Sequence, residues 1–313
     1  MFDILLSLLG GLILFLFALS NLSHVLKQIL GESAQKWIIR FTDKTWSAVA
    51  TGIVTTILLE SSSAVIIIGI VFINAHLLNL KQAMGIILGA NIGTTASSQL
   101  MAINIAKFSP ILLLVGFLVI SIAKSRTKIH WGQAIVYFGL LFFGLYTMEN
   151  AIEPLKSNNV FMHWLKHTEN PISGAIMGAA ITLIIQSSSA TVGMALILIK
   201  KGLLTLTGGI AIMLGAELGT CSDTLLATVN GNRTAVKAGL FHLIFNLFSI
   251  TLGLIFFHPF VRFIQHISGN SAIEQKLATA HIVFNLSGVL IFVWFLPLFL
   301  RILNRAIPDK NTI

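Results

Sequence analysis

The chain has 313 residues, 56% of them hydrophobic and 10% charged, where soluble domains carry about 25% charged residues. That composition excludes a soluble globular protein and indicates an all-α polytopic membrane protein, the apolar runs being continuous rather than alternating as in a β-barrel. The net charge of +9 lies beside apolar runs, at Lys124, Arg126 and Lys128 and again at Arg301, Arg305 and Lys310, as in cytoplasmic loops; with no basic stripe interleaved with aromatics, nucleic-acid binding is set aside.

In chain order, residues 2–24 predict a first spanning helix. It carries Asp3 and no basic leader, and no small-residue cleavage signal follows, so it reads as retained rather than as a signal peptide. Residues 26–43 read as a separate amphipathic, interfacial segment. Apolar stretches at 46–60 and 64–75 flank "ESSSA", and stretches at 79–90 and 94–106 flank "NIGTT". Helices at 109–124 and 131–150 follow, the pattern recurs over 151–230, and helices near 234–257 and 277–301 complete the chain. Segments of 12–16 residues reach only ~18–24 Å at 1.5 Å per residue, short of a ~30 Å hydrocarbon core, so re-entrant or broken helices are expected. Cys221 is the only cysteine, which excludes an intramolecular disulfide or a cysteine metal cluster.

Sliding the chain by 126 residues aligns 52–95 with 178–221 without a gap, and roughly a third of the pairs are identical, where roughly a tenth would match by chance in so biased a composition. Ser61–Ser63 and Ala64 meet Ser187–Ser189 and Ala190, "LGANIGT" meets "LGAELGT", and upstream "FALSNL" meets "FGLYTM". A duplicated half is therefore expected, with one transmembrane domain over 1–313, repeat 1 at about 10–125, repeat 2 at about 136–258 and a C-terminal helix at about 277–301. Residues 25–44 carry Lys27, Lys36, Arg40 and Lys44, against Lys156 and Lys166 in 151–170, a difference that agrees with opposite orientations of the two halves. "FHLIFNL" and "AHIVFNLSG" both carry His-x-x-x-Asn. They place His242 with Asn246 and His281 with Asn285 on one helix face each, suited to pinning a bundle through interhelical hydrogen bonds and supporting a nearby site.

Adjacent serines are poor occupants of a helix interior, because their hydroxyls compete for backbone groups. At a break they are useful: the restarting helix offers unpaired N–H groups and a positive dipole end to an anion, and the hydroxyls add donors without fixed charge. The helix ending there exposes carbonyl oxygens suited to Na⁺, so paired broken helices meeting at the midplane describe a secondary transporter. In "GANIGTT" and "GAELGTC" the Gly-x-x-x-Gly spacing allows close backbone approach, with Asn91, Thr94 and Thr95 supplying oxygens within one turn.

On these residues, "ESSSA…LGANIGTT" and "QSSSA…LGAELGTC", the chain resembles the type II sodium–phosphate cotransporter family, over roughly residues 10–295. The resemblance implies Na⁺-coupled uptake of inorganic phosphate by two inverted repeats in the inner (plasma) membrane. It also implies phosphate on Ser61, Ser62, Ser63, Ser187, Ser188 and Ser189, and Na⁺, with no transition metal or other cofactor, near Gln186, Asn91, Thr94, Thr95 and Thr220. Partners would be phosphate or a similar small anion, Na⁺ and the lipid bilayer; a homo-oligomer is compatible with it. Many bacterial relatives add a soluble helical domain resembling the phosphate-regulatory protein PhoU, and a short member without it is expected here. Two positions depart from the family pattern: Glu60 replaces Gln, and Glu217 replaces Asn. A buried carboxylate beside an anion must be protonated or paired with a cation. Glu60 and Glu217 are therefore expected to bind Na⁺ or carry a coupling proton, or else to mark a transporter remodelled for another small solute. Asp223 adds a third carboxylate or caps a helix. A remote alternative, an intramembrane serine hydrolase with His242 or His281 as base, has no Gly-x-Ser-x-Gly turn to support it and no use for three serines in two copies.

Overall fold

The computed structural model describes residues 2–103 and 105–308; Lys310 lies outside the described residues. Among them every regular element is helical. The first half comprises α1 (Phe2–Arg40), α2 (Thr45–Leu59), α3 (Ser62–Asn74), α4 (Leu80–Ala102) and α5 (Ser109–Ile122). The second comprises α6 (Arg126–Ala151), the short α7 (Asn159–Lys166), α8 (Pro171–Ile185), α9 (Ser188–Lys200), α10 (Leu206–Gly219), α11 (Cys221–Thr228) and α12 (Arg233–Ile255). α13 (Phe257–Ser268) and α14 (Ile273–Ala306) follow. Five of the described helices are long and apolar enough to cross a membrane, and up to seven spans result if each of two bent pairs counts as one. The chain is an all-α polytopic membrane protein. Helices α2, α3, α8 and α9 have 15, 13, 15 and 13 residues and reach only ~20–22 Å, so none spans alone.

Three sequence expectations are corrected. Residues 2–24 and 26–43 are not two segments: α1 runs unbroken to Arg40, because no proline interrupts it and its polar positions accept helix geometry. Most of the basic stretch 25–44 is therefore helix rather than loop. No break occurs at "NIGTT" either, since α4 is continuous from Leu80 to Ala102. Its polar side chains close onto its own carbonyls: Asn91 Nδ2 donates to Ile87 O at 2.8 Å, Thr94 Oγ1 to Ala90 O at 3.0 Å and Thr95 Oγ1 to Ile92 O at 2.7 Å. Finally, α13 was not foreseen; "FHPFVRFIQHIS" mixes polar and apolar residues too evenly to stand out by hydropathy, and it buries only Phe257, Val261 and Ile264.

The Gly-x-x-x-Gly motifs are packing seams. Gly52 abuts Ile86 O and Gly89 abuts Val49 O, joining α2 to α4; Gly178 abuts Ile212 O and Gly215 abuts Ala175 O, joining α8 to α10. The matched contacts lie 126 positions apart, partner for partner. A Cβ at any of the four would overlap a carbonyl, so only glycine lets these helices approach so closely. The hairpins then enter different cores. One packs α2, α3 and α4 against α12 and the end of α14. The other packs α9 and α10 against α1, α6 and the start of α14. The breaks of both hairpins face one cavity between these cores.

Candidate functional site

α2 ends at Glu60 in the left-handed region (φ 48°, ψ 33°), and α8 ends at Gln186 in the same conformation (φ 56°, ψ 33°). A non-glycine residue there costs roughly 1–2 kcal/mol, so both halves carry the same strain at the same point. The next residue turns extended and caps the restarting helix. Ser61 Oγ accepts the Ala64 N–H at 3.1 Å, and Ser187 Oγ accepts the Ala190 N–H at 3.2 Å. With the first serine of each triplet committed to capping, the amides of Ser62, Ser63, Ser188 and Ser189 occupy the first turns, where a helix has no partner for its own N–H groups. Two positive helix ends with free donors therefore face the same space.

That space is a cavity of about 490 Å³ lined by Glu60, both serine triplets, Gln186, Thr220 and Asp223. Neither carboxylate is bare. Glu60 Oε2 accepts Ser97 Oγ at 2.6 Å, and Asp223 Oδ2 accepts Ser63 Oγ at 3.1 Å, which binds α3 to α11. The cavity can thus offer an anion amides and hydroxyls, and offer cations two carboxylates and a side-chain amide within the same walls.

Other expected residues lie elsewhere. Asn91, Thr94 and Thr95 are buried in α4 and do not line the cavity. Glu217 is 2% exposed and accepts from or donates to His281 Nε2 at 2.6 Å, while His281 Nδ1 meets Ser98 Oγ at 2.6 Å. This Ser–His–Glu chain ties α4, α14 and α10 together; Ser98 and His281 are both fully buried, so it is sealed off as a polar clamp. His242 Nδ1 meets Thr224 Oγ1 at 2.9 Å, Asn246 Nδ2 donates to Cys221 Sγ at 3.3 Å, and Asn285 Nδ2 donates to His281 O at 3.2 Å. Neither histidine faces the serine triplets.

One wall of the cavity was missed. Leu16, Leu19, Ser20, Ser23, His24 and Lys27 of α1 line it, spaced by three and one, a single helix face. The signal was in the sequence, as a polar stripe crossing the boundary at residue 25 where α1 was expected to end. Ending the first helix at residue 24 hid it.

A model of the family described as Na⁺/Pi-cotransporter matches the chain twice, over residues 14–150 and 143–269. YqeW of Bacillus subtilis is 29% identical over 308 residues, which cover 98% of this chain and 99% of that protein. YjbB of Escherichia coli K12, named as a candidate for inorganic phosphate export, is 24% identical over 286 residues, 90% of this chain and 52% of that protein. The chain thus spans about half the length of that relative. Sodium-dependent phosphate transport protein 2A of Rattus norvegicus is 29% identical over 106 residues, 32% of this chain and 16% of that protein. No solved structure matches the chain.

Proposed function

The chain belongs to the Na⁺/Pi-cotransporter family, a family of transporters rather than enzymes, and from that membership we propose Na⁺-coupled transport of inorganic phosphate across the cell (inner or plasma) membrane. The observation that carries this reading is the single cavity shared by Ser61–Ser63 and Ser187–Ser189. The anion sits between the two helix N-termini, and two repeats of inverted orientation, about 10–125 and 136–258, alternate its access to either side.

Charge in the cavity supplies a physical reason for coupling. Glu60 and Asp223 stand against one ammonium, that of Lys27, so the wall repels an anion that arrives alone. Cations held by Glu60, Gln186, Thr220 and Asp223 remove that repulsion, and the two solutes then bind together or not at all. Asn91, Thr94 and Thr95 support this site through α4 rather than by lining it. The direction proposed is uptake under an inward Na⁺ gradient. A coupled carrier runs as the summed gradients dictate, so the same site serves the export for which YjbB is named.

A second reading, an H⁺- or Na⁺-coupled carrier of a different small solute using Glu60 and Glu217, is favoured by Glu60, a carboxylate in the cavity wall where the matched position carries Gln186. The experiment is [³²P]phosphate flux in proteoliposomes, in both directions, with Na⁺ and pH gradients imposed separately. Accumulation driven by Na⁺ supports the first reading, and accumulation driven by pH alone supports the second. Flux indifferent to both, in the wild type and in Glu60→Gln, contradicts coupling altogether.

A further inference from the structure

We infer that Lys27 on α1 is the anion-selecting residue of the cavity, a fixed positive charge that captures phosphate and sets its affinity. This rests on the phosphate-transport reading of the serine cavity.

Ser20, Ser23, His24 and Lys27 share the α1 face that borders the cavity opposite the hairpins. Among the charged side chains lining it, Glu60 and Asp223 already accept hydroxyl hydrogen bonds, whereas the Lys27 ammonium has no hydrogen bond or ion pair among the described residues. Beside it, the buried Ser23 Oγ also lacks a partner. An ammonium and a hydroxyl, both unsatisfied and one helical turn apart, suit an anion with several acceptor oxygens. The serine amides and hydroxyls supply directional contacts but no net charge, so an anion in this cavity meets one protein cation, Lys27. The second half underlines the choice. The position 126 residues on is Glu153, which pairs with Lys201 at 3.1 Å and Lys156 at 2.8 Å, so a charge of the opposite sign is used there to close a protein contact.

Lys27→Gln should raise the phosphate KM about tenfold, as expected for loss of one charge-assisted contact, with the maximal rate within about twofold. Lys27→Arg should recover most of the affinity, and Lys27→Glu should be worse than Gln. The sharper test is Lys27→Cys. The native Cys221 is buried at 1% exposure and should not react, so modification with aminoethyl methanethiosulfonate restores a positive charge at residue 27 and should restore phosphate affinity. The sulfonatoethyl reagent adds a negative charge and should abolish the remaining uptake. Lys27→Gln or Lys27→Cys with unchanged KM, while the wild type transports phosphate, overturns the role of Lys27 alone. Equal effects of the two reagents overturn it too, because they mark a steric rather than a charged contribution. A wild type that moves no phosphate overturns the underlying reading along with it.

Discussion

Lys27 on α1 and Glu153, two residues past the end of α6, occupy positions 126 apart, and the surroundings of the two are opposite. On the α1 side the helix face carrying Ser23 and Lys27 borders about 490 Å³ of open cavity. On the α6 side the matched face carrying Leu145 and Glu149 borders about 20 Å³, room for about one water. There Glu149 accepts Lys200 at 2.7 Å and Lys201 at 3.6 Å, and Glu153 accepts Lys201 at 3.1 Å, so α6 is fastened to the end of α9. The positions matching Lys200 and Lys201 are Asn74 and Ala75, which cannot make this clamp. The hairpins themselves keep one backbone in both halves, down to the left-handed Glu60 and Gln186. The two hairpins share one backbone while the charges around them differ; under the proposed transport function, that difference decides which side opens.

Substitutions that make the halves alike test this. The largest effect is expected from Glu60→Gln, which gives both hairpins the same residue. Na⁺-driven phosphate accumulation should fall tenfold or more, and the Na⁺ dependence of uptake should become less steep; unchanged steepness would free Glu60 from ion binding. Next is Glu149→Ser, the residue at the matched position 23, which removes the carboxylate shared by Lys200 and Lys201. A partly buried charged hydrogen bond contributes about 1.5–3 kcal/mol, so a cysteine introduced at Leu145 should label at least about tenfold faster in this background. No change in labelling would mean that the ion pairs do not hold that side shut.

A smaller effect concerns an orphan. Thr182 Oγ1 donates to Thr191 Oγ1 at 2.8 Å, but the matched Thr56 Oγ1 is buried without a partner because Val65 replaces the second threonine. Val65→Thr should stabilise the protein by about 1 kcal/mol, read as a higher Tm in detergent. The smallest is His76→Gly. His76 has φ 59° where the matched Gly202 has φ 68°, so glycine should relieve strain and raise Tm by roughly 1–2 °C, with Gly202→His lowering it.

Much of the cavity is legible in the sequence, because serine triplets interrupting apolar runs have few structural uses and this chain has two in register. Glu60 stood out beside its triplet, Gln186 and Thr220 came with the family resemblance, and Asp223 stood out as a third carboxylate in an apolar chain. What could not be read was whether a polar residue faces the cavity or its own helix. Asn91, Thr94 and Thr95 look like ligands in one dimension, yet each satisfies itself on a carbonyl three or four residues back. Lys27 failed in the other direction: it looked like loop charge because α1 was stopped too early. The glycines of "GANIGTT" signalled close approach correctly, and that approach serves helix packing. The ion pairs that fasten α6 to the end of α9 depend on Lys200 and Lys201 meeting Glu149, a long-range contact that no local pattern announces.

The central claim is that one phosphate is held by both hairpins at once. Equilibrium binding of [³²P]phosphate to purified protein tests it directly, with Ser62→Ala, Ser188→Ala and the two combined. One phosphate per chain is predicted, weakened about tenfold by either substitution and about a hundredfold by both. Two independent sites, or binding that ignores substitution in one half, would contradict it.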